Sequence, residues 1–155
     1  MKEIVNILIK NNKTISTMES CTGGYVANEI TNIENSSKVL KFSAVTYSNE
    51  YKIKMGVDSD IIDKYTVYSM EVADCMAKAI SNFTNSDYGI GITGKLKKSD
   101  DNNPFNEDDI VYISIYDKNK DKHNNKKVKV TKDKRSDNKK IVYEAITCLL
   151  KEILL

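Results

Sequence analysis

The sequence predicts a layered α/β fold, a mixed sheet covered by helices, and three observations carry that prediction. Apolar residues recur at helical spacing in some segments and at alternate positions in others, and the two kinds of segment interleave along the chain. Two strand-like runs near the C-terminal end, 110–116 and 127–131, are separated by a polar stretch that reads as a hairpin connection, so a purely parallel sheet is excluded. With 155 residues, 40% of them hydrophobic, the chain can bury one core without help from a disulfide or a metal.

The elements follow in order. Residues 1–11 read as a short helix with Ile4, Ile7 and Leu8 on one face, and 14–18 as a strand. A glycine-bearing turn comes next, then a helix from Gly24 onward in which Val26, Ala27, Ile30 and Ile33 share a face, closed by Asn35, Ser36 and Ser37. Residues 42–47 read as a second strand. Ser69 is an N-cap for a helix whose apolar stripe is Val72, Met76, Ala79, Ile80 and Phe83. In 87–93, Tyr88, Ile90 and Ile92 alternate with glycines, the pattern of a strand lying closely against a neighbour, and Gly94 ends it. The hairpin strands come next, and Ser136 and Asp137 start a last helix with a wide apolar face formed by Ile141, Val142, Ala145, Ile146, Leu149, Leu150 and Ile153. Segments 95–109, with the only proline, Pro104, and 117–127 are polar enough to be read as exposed loops. No repeat or linker divides the sequence, so residues 1–155 are expected to form a single domain.

Composition removes several classes of function. The 24 basic and 22 acidic residues leave a net charge of +2, and Arg135 is the only arginine, so neither the field nor the bidentate contacts of a nucleic-acid binder are present. The N-terminal apolar stretch, broken by Asn6 and ended by Lys10, is too short for a signal peptide or a membrane span. Cys21, Cys75 and Cys148 are odd in number and lack metal or redox spacing, which points to a reducing, cytoplasmic compartment. His123, the only histidine, sits in a lysine- and asparagine-rich stretch and reads as solvated, so a zinc site of several ligands has almost no material.

The densest chemical signal is Glu19-Ser20-Cys21-Thr22-Gly23-Gly24, placed where a strand ends and a helix begins. Glycines permit unusual backbone angles and the first amides of a helix have no internal partners, so such a turn can hold a phosphate or an oxyanion beside a serine nucleophile. It can equally be a capped turn and nothing more. A Ser-His-Asp triad would need His123 from a lysine-rich segment, whereas a desolvated lysine can serve as the base. Tyr47-Ser48-Asn49-Glu50-Tyr51-Lys52 follows the second strand and projects from the same sheet end, with an exposed Lys52 at a helix start as the plain alternative.

Together the two motifs resemble the CinA C-terminal domain family, the bacterial nicotinamide mononucleotide deamidases, in both order and spacing. Ser69 to Ala77 is similar to that family's Val-Ser-x-x-Val-Ala-x-x-Met-Ala helix start, and Ile92-Thr93-Gly94 to its strand ending in Thr-Gly. The resemblance covers nearly the whole chain. It implies a three-layer α/β/α fold and hydrolysis of the amide of nicotinamide mononucleotide (NMN) to nicotinate mononucleotide and ammonia, with no metal and no cofactor. It implies that Ser20 is the nucleophile, Lys52 the base and Tyr47 a positioning group. Thr22, Gly23 and Gly24 would give oxyanion or phosphate contacts, Thr93 and Gly94 would face the nucleotide, and Arg135 resembles an arginine preceding the last helix. Homo-oligomers are also implied, for which the last helix and the edge near 127–131 offer surfaces.

The chain departs from the pattern after Gly94. Where the family continues Ile-Ala-Gly-Pro and a glycine-rich loop ending Lys-Pro-Val-Gly-Thr-Val, this sequence has Lys95-Leu96-Lys97-Lys98 and later Glu107-Asp108-Asp109-Ile110-Val111, and Thr66-Val67-Tyr68 replaces the usual small residues before Ser69. The N-terminal partner domain of longer CinA proteins is not in this sequence, which reads as a stand-alone version. Two other readings therefore stand beside the NMN amidohydrolase. One is a homologue that binds a nucleotide without turnover or acts on a related amide, and the other makes Cys21 the nucleophile, activated by the helix start and a lysine.

Overall fold

Residues Ile15–Glu19 (β1) are buried along their whole length, as a strand covered on both faces must be. The computed structural model describes residues 1–97 and 109–155. Around β1 the chain runs α1 (Lys2–Lys10), β1, α2 (Tyr25–Thr31), a 3-10 turn (Ser36–Lys38), β2 (Leu40–Val45), α3 (Asn49–Lys54), α4 (Ser59–Tyr65), α5 (Met70–Thr84), β3 (Tyr88–Gly94), β4 (Ile110–Asp117), β5 (Lys122–Lys129) and α6 (Arg135–Leu154). The strands form one sheet in the order β2-β1-β3-β4-β5. The first three are parallel, whereas β4 is antiparallel to β3 and β5 to β4, so the sheet is mixed and the late hairpin is present.

Two apolar clusters show why helices cover both faces. Ile4 and Leu8 of α1, Val26 and Ile30 of α2, and Val142, Ile146 and Leu150 of α6 pack on Ile15, Ile90, Ile92 and Ile113. On the opposite face Val72, Met76 and Ile80 of α5 join Met18, Val57 and Ile62. The result is a three-layer α/β/α fold. The apolar face of α6 is consumed by this core, with Val142, Ile146 and Leu150 fully buried, so it is not a free surface for self-association.

The alternating glycines of β3 do what their pattern predicts. A Cβ on Gly89 would overlap the Ala77 carbonyl oxygen, and one on Gly91 the Ala73 carbonyl oxygen, so both glycines let α5 lie directly on the strand. Ser69 caps α5, its Oγ accepting from the Val72 amide at 3.3 Å.

Several expectations are corrected. The stripe of α5 stops before Phe83, which is 65% exposed and meets Phe42 of edge strand β2 with ring centroids 5.6 Å apart. Residues 122–127 belong to β5 and not to a loop, because they extend the pairing with β4 as far as Lys122 opposite Asp117. His123 is thereby held half-buried against Tyr116, at 4.9 Å between centroids, with Nδ1 3.0 Å from Ser114 Oγ, and does not stand in a loop. Lys95 and Leu96 are buried, since the chain after Gly94 stays pinned by Lys95 N donating to Ile110 O and Asn138 Nδ2 to Leu96 O. The rest of the expected 95–109 loop, residues 98–108 with Pro104, Glu107 and Asp108, lies outside the described residues. Helix α4 was not anticipated; Asp58 caps it through a bond from the Asp60 amide.

Gly91→Ala is expected to destabilise the protein by about 2 kcal/mol or more, because the methyl meets helix backbone that cannot yield locally. Urea unfolding measures it, and an unchanged midpoint would mean that α5 moves away without loss.

Candidate active site

The C-terminal ends of β1, β2 and β3 lie side by side because these strands are parallel, and the chain leaves β1 for β2 on one side and reaches β3 on the other. Such a reversal point opens a crevice at the carboxyl ends of the strands. A cavity of about 350 Å³ occupies this crevice, lined by Ser20 and Cys21 after β1, Tyr47, Asn49 and Lys52 after β2, and Thr93 and Gly94 at the end of β3 with Lys95 to Lys97 after it, with Val67, Tyr68 and Arg135 completing it.

Glu19 shapes the turn that carries Ser20. Its side chain is fully buried, and Oε2 accepts from Thr22 Oγ1 at 2.7 Å, Gly24 N at 3.1 Å and Val26 N at 3.2 Å. Oε1 accepts from Ala27 N at 2.8 Å and Thr17 Oγ1 at 3.4 Å. The carboxylate therefore caps α2 from within the protein, at the position where a bound anion would otherwise sit. Gly23 and Gly24, at φ 61° and 89°, let the chain wrap around it. Thr22, Gly23 and Gly24 are thus not brought to the cavity: the Thr22 hydroxyl and the Gly24 amide are bonded to Glu19, and the Gly23 amide to Ser20 O. The amides of Cys21 and Thr22 donate to no backbone or side-chain oxygen among the described residues.

Ser20 is held by its amide, which donates to Ile92 O of β3 at 3.0 Å. Ser48 caps α3 by accepting from Tyr51 N, and that short helix turns Lys52 inward. Lys52 is 1% exposed; its Nζ donates to Thr46 O at 2.7 Å and lies 3.1 Å from Ser20 Oγ. Burial pulls the Lys52 ammonium below its ordinary pKa of 10.5, which favours a neutral amine with a lone pair for the serine proton. The exposed-lysine alternative is thereby removed. Cys21 is 5% exposed, and burial pushes its thiol up to about 12, against the thiolate that the Cys21-nucleophile reading requires.

The other expected residues divide. Tyr47, two-thirds exposed, stands at the mouth, where Arg135 Nη2 donates to its hydroxyl at 3.5 Å. Thr93 donates its hydroxyl to Val67 O at 2.6 Å and so holds the 67–68 wall in place, while Gly94, at φ 145°, approaches the Ile110–Val111 backbone too closely for any side chain. Glu19, Thr46, Tyr68 and Lys97 also belong to the site and were not assigned roles from sequence. Only Glu19 carried a signal, as an acid preceding a Thr-Gly-Gly helix entry.

A buried serine–lysine pair at the reversal point of a mixed α/β sheet defines the class of protein, and comparison with known proteins gives the family. The CinA C-terminal domain family model matches residues 1–153, and the chain belongs to that family. It is 41% identical over 120 residues to a Clostridium kluyveri protein described as competence-damage inducible, covering 76% of this chain, and 40% identical over 114 residues to a CinA-like protein of Kosmotoga olearia, covering 73%. The matches span 29% and 27% of those curated relatives, which are much longer proteins. Among solved structures, a CinA superfamily protein from Klebsiella pneumoniae superposes with a TM-score of 0.86 at 19% identity, covering 97% of this chain and 96% of that one. The competence/damage inducible protein CihA from Agrobacterium tumefaciens gives 0.83 at 22%, covering 99% and 93%. These structures share the fold.

Glu19→Gln places an amide donor against amide donors and is expected to cost about 3 kcal/mol of stability. Denaturant unfolding measures this, and a loss below about 0.5 kcal/mol would show that the turn does not depend on the carboxylate.

Proposed function

We propose that the chain is an amidohydrolase in which Ser20 attacks and Lys52 serves as base, with the carboxamide of NMN as substrate. The observation that carries this reading is Lys52 Nζ, buried, bonded to Thr46 O and 3.1 Å from Ser20 Oγ. The Ser20 proton passes to the Lys52 lone pair while Oγ bonds to the amide carbon, and the oxyanion that forms takes a hydrogen bond from the amide of Cys21, the residue beside Ser20 on the cavity lining. Collapse breaks the C–N bond as Lys52 returns the proton to the departing nitrogen, releasing ammonia and leaving an acyl-Ser20 ester. Water, deprotonated by Lys52, hydrolyses that ester to nicotinate mononucleotide. Arg135 and Lys97 on the cavity lining supply cations for the phosphate, and Tyr47 and Tyr68 flat faces for the ring.

No step calls on a metal or cofactor. Among the described residues there is no group of three or more His, Cys, Asp or Glu that could hold a metal, and no helix is long and apolar enough to cross a membrane. A cytoplasmic homo-oligomer is part of the proposal; light scattering at micromolar concentration checks self-association, and a 17.5 kDa species throughout would contradict it.

Ammonia release from millimolar NMN, with chelator present, tests the function. Ser20→Ala is expected to lower turnover on the order of 10³-fold or more. Cys21→Ala is expected to stay within about threefold of wild type, and iodoacetamide is expected to leave the activity of both unchanged, because burial holds the Cys21 thiol protonated. Folded wild-type protein that releases no ammonia from NMN would contradict this substrate.

A further inference from the structure

The Thr46 hydroxyl is one of two buried side-chain polar atoms that have no hydrogen-bond partner among the described residues. Thr46 is 2% exposed, and its backbone is fixed on both sides: its amide donates to Glu19 O at 2.8 Å and its carbonyl accepts from Lys52 Nζ at 2.7 Å. A buried hydroxyl without a partner is a standing cost, and valine would fill the same shape without it. The place to look for its use is a state of the site other than the resting one.

The proton transfer creates such a state. As a neutral amine, Lys52 has two N–H donors and one lone pair; Thr46 O takes one donor, and the 3.1 Å separation from Ser20 Oγ is short enough for the lone pair to receive the serine proton. Once the serine proton has moved, the same nitrogen, on a residue 1% exposed, is an ammonium with three N–H groups, and a buried ammonium calls for a further acceptor. The hydroxyl and carbonyl oxygens of one threonine are separated by roughly 3 to 4.5 Å through covalent geometry alone. Threonine also divides between χ1 rotamers, so a side-chain rotation redirects the hydroxyl while the backbone stays bonded.

We propose that Thr46 is a positioning residue for the serine–lysine pair: its hydroxyl, unpartnered at rest, accepts a hydrogen bond from the Lys52 ammonium as Ser20 attacks. An interaction that exists only after proton transfer lowers the barrier without tightening substrate binding. The inference rests on the serine–lysine reading above but not on the identity of the substrate.

The test uses phenylmethylsulfonyl fluoride as the probe, since sulfonylation of Ser20 needs the same proton transfer and releases fluoride. Labelling is followed by intact mass across pH for wild type, Thr46→Val and Thr46→Ser, with Ser20→Ala as the site control and thermal melting as the fold control. The titratable neighbour that acts on Lys52 is the Cys21 thiol, held protonated up to about pH 12, and the other cations lining the cavity are Lys95, Lys97 and Arg135. The expected result is that Thr46→Val labels about tenfold more slowly at the high-pH plateau, with its pH limb displaced to lower pH because the ammonium has lost an acceptor. Thr46→Ser restores both rate and limb, and Thr46→Val melts no lower than wild type. Labelling of Thr46→Val at the wild-type rate and pH limb would overturn the role of Thr46 alone. Failure of Thr46→Ser to restore the rate would overturn it too, by assigning the effect to the methyl group. A wild type whose Ser20 never labels would overturn both this role and the reading beneath it.

Discussion

The Glu19 carboxylate decides what the first turn of α2 is for. A helix start beside a serine and two glycines has the donors to hold an anion, and here a buried side chain from the strand takes them, accepting from Gly24, Val26 and Ala27 while tying down Thr22 and Thr17. Because Glu19 is the last residue of β1, its carbonyl and side chain lock together the end of that strand, the turn and the start of the helix. Ser20 is therefore presented from rigid backbone, with its amide on β3. The same constraint that removes the phosphate role from Gly23 and Gly24 leaves Ser20 and Cys21 as the residues of this turn that line the cavity.

Lys52 is the second half of the arrangement, and its chemistry follows from where α3 begins. Ser48 caps a helix of one and a half turns directly after β2, which swings Lys52 under the sheet end and leaves it only a carbonyl and a hydroxyl to bond. Two neutral oxygens and no carboxylate are a poor setting for an ammonium, so burial acts on the lysine in the direction a general base needs. Charge enters the cavity instead from Lys95, Lys97 and Arg135, which line it together with this pair. The site thus combines an uncharged setting for Lys52 with cations elsewhere on the cavity lining.

Much of this was legible in the sequence wherever one local pattern had one physical meaning. The glycine alternation of 87–93 announced a strand in close contact, and the contact is with the backbone of α5. The Ser69 cap and the apolar stripe after it gave the helix, and the two motifs gave Ser20 and Lys52. What stayed illegible depended on neighbours outside the residue's own segment. His123 looked solvated because its own segment is polar, yet β4 supplies Tyr116 and Ser114. Phe83 looked like core because of its period, yet it emerges past the end of the covered sheet to meet Phe42. Lys95 and Leu96 looked like loop, yet Asn138 of α6 and Ile110 of β4 hold them inside. Glu19 could be read as a motif letter, but its capture of the α2 amides is a property of the turn in three dimensions.

The most direct test of the account is the charge state of Lys52, followed by a side-chain NMR titration of isotopically labelled lysine with Lys52→Met to assign the signal. The account predicts that Lys52 titrates well below its ordinary 10.5, apart from the exposed lysines, and that Ser20→Ala leaves it depressed because burial is the cause. Titration of Lys52 together with the exposed lysines would mean that it stays an ammonium at neutral pH, and the proposed base would be lost.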